Sequence, residues 1–243
     1  GWLGRLSATD VLRFTRSVSR NTKAGEEEGL PAAVVARLER AQAWRDANRV
    51  DGILEEKEFS LDAFWGVHKP GGDARRELQW LPGTDHRRRP TLVLFTDRHL
   101  PGEMEKRLWE RFVIYNAEDS IARRGVADGP GGQFSLVVDR TSSGLRNQDP
   151  KLAVSIVRKI VTHYPDLLGQ VYVAPVNTVF YGIWKVLKLF LSEDAKSKFV
   201  LIRGSDWREK LQAAVGGDLQ LPPHMLPGAT GADKESAVSA EQE

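Results

Sequence analysis

The stretch "HYPDLLGQVYVAPVNTVFYGIWKVLKLFL", His163 to Leu191, decides how this chain folds. Its "QVYVA" (170–174) reads as a strand, and Asn177 stands just ahead of a helix that is apolar almost all the way round. On that helix Tyr181, Lys185, Lys188 and Ser192 fall at i, i+4, i+7 and i+11 and form one narrow polar stripe. Val179, Phe180, Ile183, Trp184, Val186, Leu187, Leu189, Phe190 and Leu191 occupy the rest. At about fifteen residues the helix is short of the roughly twenty needed to span a bilayer. A helix apolar over so much of its surface must be covered on more than one side. A central core helix would satisfy that need. In a layered α/β fold, so would a second layer of protein, a greasy ligand or a membrane.

Working outward, "TLVLF" (91–95), "FSLVV" (134–138) and "KFVLI" (198–202) also read as strands. Helices lie between them. "GEMEKRLWERFVIYNAEDSIARR" (102–124) is one. "DPKLAVSIVRKIVTHYP" is another, with Asp149 as N-cap, Pro150 at the first helical position and Ile156, Val157, Ile160, Val161 and Tyr164 inward. Strands alternating with helices predict an α/β fold with a mainly parallel sheet and flanking helices. Upstream, "LSATDVLRFTRS" offers Ser7 as N-cap with Asp10 three residues on. "LPAAVVARLERAQAWRDAN" is a second helix, with Pro31 near its start and Ala32, Val35, Leu38, Ala41 and Trp44 on overlapping faces. From about Asp51 to Pro90 the pattern weakens into short helices, turns and the loop "KPGGDARR". The expected organisation is a helical region over 1–80, an α/β domain over 81–227 and a disordered acidic tail over 228–243.

Composition excludes several chemistries. No cysteine is present, which removes disulfides, thiolate metal sites and cysteine nucleophiles. His68, His86, His99, His163 and His224 are scattered without i, i+4 spacing, so no metal site is expected. The net charge is +2, but the last stretch from Gly228 holds Asp233, Glu235, Glu241 and Glu243 against Lys234, so the body is more basic than the whole. That suits an anionic membrane surface or a phosphate, or simply a solvated surface. The basic run in "DHRRRPTLVLF" lacks interleaved aromatics, so no nucleic-acid partner is expected. The chain opens Gly1-Trp2-Leu3 without a methionine or a signal peptide and reads as an excised fragment.

Phosphate-loop, dinucleotide and nucleophile-elbow signatures are missing from the sequence. "SLVVDRTSSG" places Asp139 at a strand end with Thr141 two residues later, which loosely resembles the haloacid-dehalogenase-like phosphotransferases. That chemistry would need further carboxylates for Mg²⁺ and a lysine for the phosphate. Asp206 and Asp218 stand alone downstream, and a strand-end aspartate more often caps the next turn.

Together these motifs resemble the CRAL-TRIO family, the lipid-binding domain of phosphatidylinositol/phosphatidylcholine transfer proteins and of retinaldehyde- and tocopherol-binding proteins. "DVLRFTRS" and "AQAWRD" are similar to its amino-terminal helical motif, and "RRPTLVLF" to its first strand. "VVDRTSSG" is similar to its strand-Asp-turn-Gly, and "THYPDLLGQVYVAPVNTVFYGIWKVLKLFL" carries the most specific likeness. "SKFVLIRG" and "LPPHMLPG" follow in order. The resemblance implies a peripheral membrane protein of the cytoplasm, monomeric, not an enzyme and without a cofactor. It would hold one lipid in an apolar cavity and transfer it, or sense it on behalf of a larger protein.

The resemblance also assigns residues. Phe134, Leu136, Val171, Val173, Phe180, Ile183 and Leu187 would line the cavity. The helix after Asn177 would be its gate, with Trp184, Lys185, Lys188 and Phe190 meeting the membrane. Asp166 and Lys198 occupy the headgroup positions of phosphatidylinositol binders, although aspartate is one methylene shorter than the usual glutamate. The family's basic pair falls on Val18 and Ser19, with Arg20 beside them. The hydroxyl positions of phosphatidylcholine binders fall on Phe134 and Leu136, which cannot coordinate a phosphate. A wholly apolar ligand such as an isoprenoid, sterol or carotenoid remains open.

Overall fold

Ser7 begins the first helix. Its hydroxyl accepts the Asp10 N–H while the Asp10 carboxylate accepts the Ser7 N–H, a capping box for α1 (Ala8–Ser19). α2 (Leu30–Ala47) has Pro31 in its first turn, where the missing N–H leaves no bond unmade. The two helices share a small core of Phe14, Val34, Leu38 and Ala41, partly covered by Trp2, Leu6 and Val18. Val34 is buried in place of the expected Val35, which is exposed. The inward stripe of α2 ends on Arg45, whose guanidinium grips Glu118 through two bonds of 2.6 and 3.1 Å, and that anchor sets the rotation of the helix. Short 3-10 turns lead to α3 (Phe64–His68). The computed structural model describes residues 1–22, 27–69, 71, 76–123 and 132–229. The acidic tail from 230, most of the "KPGGDARR" loop (70 and 72–75) and residues 124–131, which include the end of the expected 102–124 helix, lie outside the described residues.

The sheet has five strands in the order β1 (Leu78–Thr84), β2 (Pro90–Phe95), β3 (Phe134–Asp139), β4 (Leu168–Ala174) and β5 (Phe199–Leu201). β1 pairs antiparallel to β2, and every other pairing is parallel. β1 is a strand where the sequence reads as turns. Pro82 and Gly83 mask it, and the ladder is irregular between Trp80 and Thr84, a departure that an edge strand tolerates. Parallel pairing needs crossovers, supplied by α4 (Lys106–Arg123), α5 (Pro150–His163) and α6 (Thr178–Leu187). A 3-10 turn (Lys188–Phe190) and the short α7 (Glu193–Ser197) complete the last one.

Because the sheet grows in one direction, right-handed crossovers place α4, α5 and α6 on the same face. α8 (Trp207–Val215) covers the other, where Trp207, Leu211 and Val215 meet Val93, Phe95, Val137, Tyr172 and Ala174. α4 lies deepest on the crossover side. Trp109, Phe112 and Tyr115 fill the space between Leu92 and Phe134 of the sheet and Phe59, Phe64 and Trp65 of the helical region. The Phe64 and Phe112 rings stack 4.0 Å apart. The helical region and the sheet domain therefore share one core.

A second junction forms where α5 ends. Trp44 of α2 stacks on His163, with ring centres 3.8 Å apart and planes 8° from parallel. The Tyr164 hydroxyl donates to Glu118 at 2.7 Å. Burial, with the nearby charges of Lys159 and Arg37, lowers the His163 pKa to about 4. The folded protein keeps this imidazole neutral where the unfolded chain would protonate it. Its contribution is complete above the ordinary value of 6.5 and declines as the pH falls towards about 4.

Two predictions follow from this packing. Phe112→Ala should cost about 3–5 kcal/mol in urea unfolding, since it empties a sealed site, whereas Leu189→Ser, on an exposed turn, should cost less than about 0.5 kcal/mol. Comparable losses would mean that the core lies elsewhere. His163→Phe keeps the stack but removes the proton uptake. Its urea midpoint should change less between about pH 7 and pH 4.5 than that of the parent chain. Equal pH dependence in both would show that His163 does not carry it.

Candidate functional site

Asp166, Lys198 and Arg20 meet although they are far apart in sequence. Asp166 lies two residues before β4 and Lys198 directly before β5. Phe199 pairs with Val171, so Lys198 sits beside Gln170, and its long side chain reaches back along β4 to Asp166. α1 delivers Arg20 from the helical region. Arg20 Nη1 and Lys198 Nζ each donate to Asp166 Oδ1 at 2.8 Å, and Gln133 Nε2 donates to it at 3.0 Å. Arg16 Nη1 lies 3.8 Å from Oδ2. Asp194 adds a second carboxylate, 3.3 Å from Arg20 and 3.8 Å from Lys198. The Asp166 side chain is 1% exposed, and its Oδ2 is buried without a hydrogen-bond partner. Its backbone takes φ +56°, a left-handed turn that aspartate tolerates better than most residues. Burial opposes the charge on Arg20, but Asp166 and Asp194 outweigh it and raise its pKa above the usual arginine value. Three cations face two carboxylates, which leaves the cluster net positive.

Sequence reasoning missed Arg16, Gln133 and Asp194. Arg16 stands one helical turn before Arg20 and Asp194 four residues before Lys198, so spacing could have found both. Gln133, in irregular chain before β3, carried no such signal.

Beyond this cluster the crossover face of the sheet is apolar. The strand register aligns Leu92, Leu136, Val171 and Phe199 in one row and Leu94, Val138, Val173 and Leu201 in the next. Val138, Val171, Val173, Val176 and Phe180 form a buried cluster, with Leu94, Leu136, Trp184, Phe199 and Leu201 packed around it and only half-buried. Asn177 caps α6 through a 3.0 Å bond from the Phe180 N–H. Phe180 and Leu187 are buried, Ile183 half-buried, and Lys185 and Lys188 exposed. Trp184 departs from the expected outward pose, with its ring packed on Phe199 at 4.7 Å. The outer apolar edge is carried by Val186, Phe190 and Leu189, the last 74% exposed. Phe190 lies under the Arg158 guanidinium at 4.6 Å. Phe134 turns to the α4 core, where it meets Trp80.

Asp139 is buried and engaged. Its Oδ1 accepts from the Thr141 N–H and hydroxyl at 2.8 and 2.6 Å, and its Oδ2 lies 2.7 Å from His224 Nε2. It ties the turn after β3 to the C-terminal segment. The basic run before β2 also has a structural member, since Arg89 is buried and paired with Asp85 at 2.7 Å. Gly169 lets it pass, because a Cβ there would lie 2.3 Å from the guanidinium. Among the described residues no group of His, Asp or Glu is placed to hold a metal ion, and no helix is long and apolar enough to cross a membrane.

Residues 74–222 match the CRAL/TRIO domain family. Protein real-time of Anopheles gambiae is 23% identical over 180 residues, covering 70% of this chain and 25% of that protein. Patellin-4 of Arabidopsis thaliana is 26% identical over 219 residues, 88% of this chain and 37% of its own length. The chain thus spans a quarter of the first relative and little more than a third of the second. The crystal structure of Sfh5 superposes with a TM-score of 0.57 at 16% identity, covering 86% of this chain and 71% of that one, which shows a shared fold. Domains of this family generally bind lipids or other small hydrophobic ligands. With the match running from before β1 to the C-terminal segment, the chain belongs to the CRAL/TRIO domain family.

Proposed function

We propose that the chain holds one lipid between α6 and the apolar rows of the sheet, its head in the Asp166 cluster, and transfers it between membranes. One observation carries this reading. Leu94 and Leu136 stand on interior strands yet are half-buried, whereas Val93 and Val137 on the opposite face are fully buried. A tightly packed protein layer would seal both faces alike. Lifting a diacyl lipid from a bilayer exposes on the order of 30 methylenes, roughly 20 kcal/mol at ~0.8 kcal/mol each. An apolar surrounding under α6 offsets that cost, and no catalytic group or cofactor takes part.

The polar end favours phosphatidylinositol. A net-positive cluster suits a phosphate, and Asp166 Oδ2, which accepts no hydrogen bond, can take one from a hydroxyl of a polyol ring. Choline offers no such donor. The proposed setting is the cytoplasmic surface of a membrane, with the protein a monomer that touches no nucleic acid. A second reading, lipid sensing on behalf of a larger protein, is favoured by the small share of its relatives that the chain spans. A sensor binds lipid without moving it between vesicles.

Solvent extraction of the purified protein, read by mass spectrometry, should recover bound lipid, and the protein should move phosphatidylinositol between vesicles. Arg20→Ala with Lys198→Ala should weaken phosphatidylinositol binding roughly tenfold or more, as expected for lost charged hydrogen bonds. Absence of any bound or transferred lipid would sink the reading, and unchanged affinity in the double variant would remove the head from the Asp166 cluster. Docking is tested separately. Leu189→Asp should weaken vesicle binding without lowering the melting temperature, because a carboxylate is costly in the interface. Lys185→Glu with Lys188→Glu should weaken binding to anionic vesicles alone, by about 1 kcal/mol per lost lysine and more for the reversal, and added salt should mimic it. Parent-like binding by both variants would place the membrane contact away from α6.

A further inference from the structure

Arg140 follows Asp139 at the end of β3, on the sheet edge from which the chain enters α6. It is 4% exposed, yet its Nε and Nη2 are buried without a hydrogen-bond partner. Its guanidinium lies over the ring of Phe180, 5.0 Å from the centre, in the first turn of α6. The nearest carboxylate, Asp139, is already bonded to Thr141 and His224. Burial lowers the Arg140 pKa and Asp139 opposes the shift, but arginine stays charged at any ordinary pH. A buried guanidinium with unspent donors destabilises the fold that contains it. The start of α6 adds partial positive charge from its first-turn N–H groups.

We propose that Arg140 and the first turn of α6 form an anion-binding site for the oxyanion, carboxylate or phosphate, of a hydrophobic ligand. It is separate from the Asp166 cluster. The Arg140 N–H donates to Ala174 O, at the far end of β4, whereas Asp166 precedes the near end. β4 has seven residues, and at ~3.3 Å each the two sites stand roughly 20 Å apart. Between them run the apolar rows Leu136–Val171 and Val138–Val173. A chain with an acidic end fits this layout, its carbons along the rows and its oxyanion on Arg140. The inference rests on the reading that an apolar ligand lies under α6.

The test compares oleic acid with its methyl ester, at a pH where the acid is ionised. The delipidated protein should bind the acid roughly tenfold tighter or more, the size expected for a charge-assisted bond in a buried site. Arg140→Gln should abolish the preference while leaving ester binding unchanged, and Arg140→Lys should keep part of it. Inorganic phosphate that displaces the acid would show the site also taking a free oxyanion, and phosphate without effect would show that it takes one borne by a lipid. Both outcomes support an anion site. Ligand-free Arg140→Met should be at least as heat-stable as the parent, because it removes an unpaired buried charge. Equal binding of acid and ester, a preference surviving in Arg140→Gln, or a clear loss of stability in Arg140→Met would each overturn the site. Equal binding would leave the carrier reading standing, whereas binding of neither probe would overturn both.

Discussion

One-directional growth of the sheet governs this molecule. Strands β2 to β5 are laid down in sequence order, so each right-handed crossover falls on the same side. α4 is the first of these helices and is covered by the amino-terminal region. α6 is the last, beside the edge strand β5, and its outer residue Val186 remains exposed, as does Leu189 in the turn that follows. The same rule points the amino-terminal ends of neighbouring parallel strands to one edge of the sheet. Asp166 before β4 and Lys198 before β5 share that edge, the lysine side chain spans the offset between them, and α1 brings Arg16 and Arg20 to the pair. The apolar rows and the polar cluster are two consequences of one topology.

Burying charge costs stability unless it is paired, and this chain pairs most of what it buries. Arg89 has Asp85, and Arg45 has Glu118. Asp166 faces more positive charge than it needs, and one of its oxygens is left over. Arg140 has an aromatic ring where a carboxylate would be expected. Asp166 and Arg140 lie at opposite ends of the apolar rows. Two buried groups with unused hydrogen-bonding atoms therefore stand at the two ends of the apolar rows, where a ligand with a polar end could use them.

The parallel strands and the long helices were legible because periodicity and caps agreed. Ser7 and Asp149 cap as the sequence implies. β1 was not legible, since Pro82 and Gly83 spell a turn and their use in an edge strand depends on a partner distant in sequence. The rotation of α2 escaped for a related reason, because both Val34 and Val35 are apolar and Glu118 breaks the tie through Arg45. Periodicity could not orient Trp184 either, on a helix apolar nearly all round. Asp166, Lys198 and Arg20 came from likeness to a family, while Gln133 and Arg140 gave no sequence sign. A single polar residue in a chain that is 28% charged becomes informative only once its burial is known.

The central claim is that acyl chains lie between α6 and the sheet. A phospholipid with a photoreactive group midway along one acyl chain, loaded into the protein and activated, locates those chains directly by peptide mass spectrometry. The account predicts adducts within β3, β4, β5 and α6, concentrated near Leu136, Val171, Trp184 and Phe199. Adducts confined to the exposed Val186–Leu189 edge, or scattered over α8 and the opposite face, would contradict it.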